Sequence, residues 1–416
     1  MSESNLRPGD IKSFIINGTN LLSPPVVALI DLRYYENVLS NVITFSVGVQ
    51  DTDNYLNKLP IKGGDKVDIK IEDSSGRIIK STFNINKIRN VVSDTLESDY
   101  FLDLASEEYF KNEETRVITR YDGKISENVK KIMKEKLSVT MKDKEVDETL
   151  VNYNFIGNNR KPLYVCSWLA SKSIPATAGK LGGAAGYLFF ETQYGFKFKS
   201  IDKLIKESPK KKCILSGTPF NVTGYDTKIV NYSIDRDIDL GNNLAIGMYS
   251  NKSIYFNFYD YDYIEKDYTV EDNKIENAGT DSVLSSISNF GKDPSRIMNR
   301  ILDVGTLPSG KTTEDQLKEW KSNPTNPTFN APQTMVQSVM RYNQMFSIKI
   351  NITIAADFSL SAGDMVECDF PDVSTNKNSG VDKRSCCIYM ISSVCHRLTS
   401  DQSSTNLTLV RDTFGR

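Results

Sequence analysis

Gly64-Asp65-Lys66-Val67-Asp68-Ile69-Lys70-Ile71 and, far downstream, Gly363-Asp364-Met365-Val366-Glu367-Cys368-Asp369-Phe370 write the same local structure twice. A Gly-Asp pair suits a tight turn whose backbone a larger residue would strain. The alternation that follows puts every second side chain on one face of a strand. Downstream, Phe83, Ile85 and Ile88 are spaced like Tyr389, Ile391 and Val394. Each block then ends in an alternating strand, Tyr100–Leu104 and Asn406–Val410, and an alternating strand also precedes each Gly-Asp turn. Short patterns of this kind recur by chance in all-β chains, but an ordered match of four elements favours duplication. Two similar antiparallel β-barrel domains are expected, with Gly64, Asp65, Gly363 and Asp364 at equivalent structural turns.

Outward from these blocks the chain divides. Residues 1–105 read as the first β-barrel domain: an apolar run at 26–32, then Ile43, Phe45, Val47 and Val49 alternating with small residues. Residues 106–207 read as a mixed α/β unit. Ser126 is placed to cap a helix carrying Val129, Ile132, Met133 and Leu137. Pro162 opens a second helix with Tyr164, Val165, Trp168 and Leu169. The small-residue run Gly179–Gly186 reads as flexible, and Tyr187–Phe190 with Phe196 and Phe198 as a hairpin around Tyr194-Gly195. Residues 208–270 are expected to supply strands continuing into the second barrel, and 271–345 a polar arm with a helix at 333–345. Residues 346–416 are the C-terminal part of that barrel. The fold class is mainly β with α/β insertions, the two barrels flanking the α/β unit.

Composition narrows the function. The chain has 416 residues and a formal net charge of −2, from 51 basic and 53 acidic residues. So balanced a chain offers no global cationic field for nucleic-acid binding. There is one histidine, His396, which limits nucleophile–histidine chemistry to a single ring. The six cysteines form no C-x-x-C pair and are too sparse for a disulfide scaffold. No apolar run is long enough to span a bilayer, so a soluble protein folded in reducing cytoplasm, without membrane insertion, is expected.

The run Met340-Arg341 to Phe346, then Ile348–Ile354, then Leu360–Pro371, together with Tyr389–Arg397 and Thr405–Asp412, resembles the baseplate hub proteins of contractile-tailed bacteriophages. Tyr35-Glu36-Asn37-Val38, Asp51, Leu59–Asp65, Ser106–Glu108 and Pro162–Leu169 with the following Gly186–Glu191 segment are similar too. The resemblance covers most of the chain except 271–332 and lies in the order of the motifs. It implies a homotrimer in which two barrels per subunit make six similar units, matching a six-fold tail tube. It also implies contacts with the tail tube or tube-initiator protein, the central spike protein and other baseplate proteins. DNA would be present only in transit through the channel. The implied location is the virion tail, assembled in host cytoplasm; the hub of a related contractile injection system, without DNA passage, is the nearest variant. No enzyme activity, cofactor or metal is implied.

Several motifs compete with that reading. Gly305-Thr-Leu-Pro-Ser-Gly310-Lys311-Thr312 matches G-x-x-x-x-G-K-[ST], in which backbone amides cradle phosphates, the lysine reaches the terminal ones and the threonine ligates Mg²⁺. Its polar, antiparallel-looking context argues instead for a loop that happens to hold Lys311. Tyr259, Tyr261 and Tyr263, among six tyrosines from Tyr249 to Tyr268, alternate with acids and suit a subunit interface or a sugar-binding or Ca²⁺-binding surface. His396 reads as a structural strand residue facing an interface or solvent. Cys386 and Cys387 point to opposite faces and pair poorly. Lys199, Lys203, Lys206 and Lys210–Lys212 read as a solvated face able to meet an acidic partner. No carboxylate pair stands out as a glycosidase site. A P-loop nucleotide-binding protein and a carbohydrate-binding adhesin are therefore the rivals to the hub.

Overall fold

The computed structural model describes residues 9–23, 27–94, 96–150, 152–176, 185–216, 222–235, 239–258, 261–269, 292–301, 306, 311–322, 331–371 and 385–413. The first region contains strands β1 (Asp10–Ile16), β2 (Thr19–Asn20), β3 (Val27–Asn37) and β4 (Thr44–Asp51), a helical turn α1 (Tyr55–Lys58), then β5 (Lys66–Glu72), β6 (Ile78–Ser93) and β7 (Ser98–Ala105). The α/β unit holds α2 (Glu107–Glu114), β8 (Arg120–Tyr121), α3 (Ile125–Leu137), β9 (Phe155–Ile156), α4 (Pro162–Ala170), β10 (Tyr187–Thr192), β11 (Gly195–Ser200) and α5 (Ile201–Ile205). There follow β12 (Lys211–Ile214), β13 (Thr227–Asp235), α6 (Leu240–Ala245), β14 (Ser250–Asn257), β15 (Asp262–Thr269), β16 (Ile297–Ile301), α7 (Thr313–Ser322) and α8 (Ala331–Met345). The chain closes with β17 (Ile348–Ala355), β18 (Met365–Asp369), β19 (Cys387–Thr399) and β20 (Ser403–Arg411).

One sheet of 13 strands runs β18-β12-β13-β17-β20-β19-β3-β4-β7-β6-β5-β1-β2. An additional β18–β19 pairing closes its first six strands into a barrel. The order β3-β4-β7-β6-β5 repeats there as β13-β17-β20-β19-β18. Registers match as well. Phe45 faces Leu104, which faces Ile85; Ile350 faces Leu409, which faces Ile391. A bulge between Ile85 and Lys87 has its counterpart between Ile391 and Ser393. A second, between Leu29 and Asp31, has its counterpart between Ile229 and Asn231. Bulges re-aim a strand, so shared positions mean shared curvature.

The halves also differ. β12 runs parallel to both β13 and β18 and seals the second barrel, correcting the expectation of a purely antiparallel one. β1 is antiparallel to β5 and pairs with no β3 residue among the described ones, so the first half, expected as a barrel, is an open sheet there and only the second half closes. Between β3 and β4 lie residues 38–43; at the same place between β13 and β17 lie 236–347. Of the described strands in 208–270, only β12 and β13 enter the barrel. β14 and β15 instead join β16, from the expected polar arm, in a three-stranded sheet ordered β15-β14-β16. β14 and β16 run parallel. That sheet packs Tyr255 and Tyr268 on Val336 and Met340 of α8.

Cores follow the alternation. Val67, Ile69 and Ile71 point in, with Phe14, Tyr34, Phe45, Phe83 and Leu104. Ile350, Ile352, Ile354, Ile391 and Leu409 fill the second half. The α/β unit has its own core from α3, α4, β10 and β11. α3 buries Val129, Ile132, Met133 and Leu137 as their spacing requires. Its N-cap, however, is Lys124, and Ser126 instead exchanges hydrogen bonds with Thr149 (3.0 and 3.3 Å). Pro162 does open α4. Of the run Gly179–Gly186, residues 179–184 lie outside the described ones.

Candidate functional site

The two Gly-Asp turns carry the same four backbone-centred hydrogen bonds. Gly64 N–H donates to the Ile85 carbonyl (2.7 Å) and Ile85 N–H returns to the Asp65 carbonyl (2.9 Å). Asp65 N–H reaches the Lys62 carbonyl (3.3 Å), and its carboxylate accepts from Lys62 N–H (2.7 Å). In the second turn Gly363 N–H donates to Ile391 (2.8 Å), Ile391 N–H to Asp364 (2.8 Å) and Asp364 N–H to Ser361 (3.2 Å), while the Asp364 carboxylate accepts from Ser361 N–H (2.8 Å). Both glycines are left-handed, with φ +91° and +85°. The turn thus fastens the start of β5 or β18 to the bulge of β6 or β19.

Their surroundings diverge. A Cβ on Gly64 would meet nothing within 4 Å, whereas one on Gly363 would lie 2.7 Å from the Phe190 ring. Asp364 is buried and takes Lys210 at 2.7 Å and Lys197 at 4.0 Å. Behind the second turn sits Glu36, fully buried on β3, which accepts from Tyr34 Oη (2.7 Å), Gln193 N–H (2.7 Å) and Ala362 N–H (2.8 Å). It therefore ties the first half, the β10–β11 turn and the second half together; burial pushes its carboxyl upward. Glu191 on β10 accepts from Ile43 N–H and Ser106 Oγ (both 2.9 Å), and burial raises its carboxyl to about 8. Both fall within the runs Tyr35–Val38 and Gly186–Glu191 that carry the resemblance, which gives neither a role of its own. The available signal was a carboxylate at an inward position, Glu36 continuing the Leu32, Tyr34 series.

His396 lies at the β3–β19 seam opposite Tyr34. It is completely buried, stacks on Tyr34 (5.8 Å) and meets Phe358 edge-on (4.9 Å), and its Nδ1 pairs with Thr405 Oγ1 at 2.8 Å. The expectation that it faces solvent or another chain is thus corrected: alternation with Val394 and Leu398 turns it inward. Burial depresses its pKa to about 4, leaving a neutral ring at pH 7. Arg397, its neighbour, faces out and pairs with Asp31 (2.9 Å). More cross-links between the halves come from Arg77 with Asp357 and from Phe358 N–H to Asp73 (3.0 Å).

Tyr261 and Tyr263 are 78% and 65% exposed beside Phe256 and Phe258 at the β14–β15 turn; Tyr259 lies outside the described residues. Of Gly305–Thr312, only Thr306, Lys311 and Thr312 are described, so the phosphate cradle itself lies outside. Lys311 is ion-paired with Glu319. Thr312 caps α7: its Oγ1 accepts from Asp315 N–H (3.2 Å) while the Asp315 carboxylate accepts from Thr312 N–H (3.0 Å). The preceding strand β16 is short, with Ile297 and Ile301 exposed. Lys199, Lys203, Lys210, Lys211 and Lys212 are all paired with acids, Asp147, Asp364, Asp357 and Glu367, so the run is not a free cationic face. Cys386 and Cys387 are both buried, and Cys386 Sγ contacts the Phe370 backbone. Among the described residues no three His, Cys, Asp or Glu side chains are grouped to hold a metal, and no helix is long and apolar enough to cross a membrane.

Solved structures share this architecture. A tail protein from Neisseria meningitidis MC58 superposes over 97% of both chains at a TM-score of 0.58 and 10% identity. The 43 kDa tail protein of prophage MuSo2 from Shewanella oneidensis covers 97% of this chain and 100% of its own, at 0.54 and 9%. The chain shares the fold of these two tail proteins. At these identities the likeness speaks for fold alone. No protein-family model matches the sequence, and no curated protein does.

Proposed function

We propose that this tail-protein fold is a structural baseplate hub, a homotrimeric ring joining the tail tube to the central spike and leaving a passage for DNA, without catalysis. The observation that carries the proposal is the repetition of strand order, register, bulges and turn hydrogen bonds in the two halves. Three chains with two equivalent halves present six similar units, which is what a trimer needs to meet a six-fold tube. In this reading Gly64, Asp65, Gly363 and Asp364 are the matched fixings of a duplicated unit. The exposed Tyr261 and Tyr263 belong to a contact with a neighbouring protein, since clustered aromatics are enriched at such interfaces. Partners are the tube or its initiator, the spike and other baseplate proteins. Virion tail location and assembly in the host cytoplasm follow from the same reading.

Negative-stain class averages of the purified protein test it. Three-fold rings with six lobes are expected. Isolated single chains that bind ATP, or a glycan in a manner lost on Tyr261→Ala, would replace the hub by one of its rivals.

A further inference from the structure

Four of the six cysteines, Cys213, Cys368, Cys386 and Cys387, lie in the core of the closed barrel, and all six are thiols. Three of the four stand in one row across the seam that β12 seals. Cys213 of β12 is opposite Cys368 of β18, and Cys368 is opposite Cys387 of β19. In the first half the row at the matching place reads Phe14-Ile69-Ser81, Ile69 following Gly64 at the spacing by which Cys368 follows Gly363. The thiols therefore belong to the closed half alone and not to the repeated pattern. Cys213 and Cys368 are hydrogen-bonded to each other through their thiols, and this contact, together with burial, pushes the Cys368 thiol well up. Directly opposed residues on neighbouring strands stand about 4.7–4.9 Å apart. That lies inside the Cα separation of about 4.4–6.8 Å that a disulfide spans. Among the described residues no three such donors are grouped for a metal, so the chemistry open to this pair is oxidation. Strand β12 is also where the barrel is least secured. It is four residues long, meets β13 only at Cys213 and Ile214, and has half-buried residues on both sides of Cys213. A short strand so placed opens locally more readily than the long strands around it.

We propose that Cys213 and Cys368 are the site of a disulfide that locks the barrel shut when the protein passes from reducing into oxidising surroundings. The oxidant is a small-molecule disulfide such as glutathione disulfide. During an opening of β12 the Cys213 thiol gives up its proton and its sulfur attacks one sulfur of the oxidant. The sulfur–sulfur bond of the oxidant breaks, and one small thiolate leaves with the electron pair. Cys368 then loses its proton and attacks Cys213 Sγ, and the second small thiolate leaves. The two protons pass to the two small thiolates, so a pair of protein thiols is oxidised and one small disulfide is reduced to two thiols. The order follows from the surroundings: Cys213 rides on the strand that lifts, while Cys368 is held protonated and reacts second. The bond ties β12 to β18 across the seam and closes a loop running from β13 to β17. Closing so long a loop restricts the unfolded chain and keeps β12 from leaving the barrel. In a reducing compartment burial keeps the pair unreactive and the thiols persist. Both cysteines belong to one chain, so the proposal stands apart from the trimeric-ring reading.

The test uses the full chain carrying Cys395→Ser, which removes the one cysteine that is not buried. It is held with glutathione disulfide in urea below the unfolding transition, where β12 opens while the barrel stands. The sample is quenched in acid, unfolded and alkylated, and its intact mass and proteolytic fragments are read. Two fewer alkyl groups than on the reduced chain are expected, with fragments joined through Cys213 and Cys368. The link should persist in Cys387→Ala and vanish in Cys213→Ala. Oxidation should also raise the urea midpoint, the shift being reversed by dithiothreitol and absent in Cys213→Ala. Alkylation of every cysteine after prolonged oxidation overturns the proposal, and so does a link from Cys368 to Cys387 in place of Cys213. A Cys213–Cys368 link that leaves the urea midpoint unmoved overturns the lock.

Discussion

The first Gly-Asp turn stands in the open and the second is locked into a three-way joint, although both are made with the same hydrogen bonds. Gly64 has free space where a side chain would go; Gly363 is closed over by Phe190 from the α/β unit. Asp65 serves its own turn, whereas Asp364 also receives Lys210 and Lys197. A duplicated unit thus keeps its local chemistry while one copy takes on the load of holding an inserted unit. The lesson is that equivalence in backbone does not imply equivalence in stability.

The largest effect is expected from Glu36→Ala, which leaves Tyr34 Oη, Gln193 N–H and Ala362 N–H without their acceptor. At roughly 1–3 kcal/mol for each buried group left unsatisfied, the three together cost at least about 3 kcal/mol. A urea midpoint unchanged within error would break the three-way joint. Gly363→Ala comes next. Left-handed strain of about 1–2 kcal/mol and overpacking of about 1–3 kcal/mol against Phe190 act together. Gly64→Ala carries the strain alone and should cost about 1–2 kcal/mol. Equal losses in chemical denaturation would erase the contrast between the turns.

The pH response sharpens the account of the joints. A buried neutral His396 with its pKa lowered to about 4 contributes stability that is fully present above its unfolded value near 6.5. That contribution is lost as pH falls toward 4, by about 3 kcal/mol in all. Glu191, raised to about 8, acts with the opposite sign: its contribution is greatest at low pH and is lost as pH rises toward 8. Glu191→Gln should therefore flatten the alkaline limb of stability against pH and leave the acid limb to His396. An unaltered alkaline limb would contradict it. The smallest effect belongs to Lys311→Ala, within about 0.5 kcal/mol because its pair with Glu319 is exposed. ATP should not shift the melting temperature of either protein.

What the sequence disclosed was what glycine and alternation enforce. Gly64 and Gly363 need left-handed backbones, and Ile85 and Ile391 sit at the spacing that places them opposite their turns, so the repeat could be seen without coordinates. The burial of His396 was readable in the same alternation, through Val394 and Leu398, but its polarity suggested the surface. Other features arise from long-range packing and leave little local trace. β12 is four residues long, and its parallel pairing depends on strands far away in the chain. Glu36 is satisfied by donors at Gln193 and Ala362, which no local pattern connects to it. Ser126 looks like a cap until Thr149 arrives from another segment to take its hydroxyl. The strand β16 was hidden because its exposed, polar neighbours resemble a loop.

The central claim is that two matched halves per chain build a three-membered ring, and the direct measurement is the solution mass by light scattering. The account predicts three times the 46.8 kDa of one chain. A mass of one chain at every concentration would contradict it.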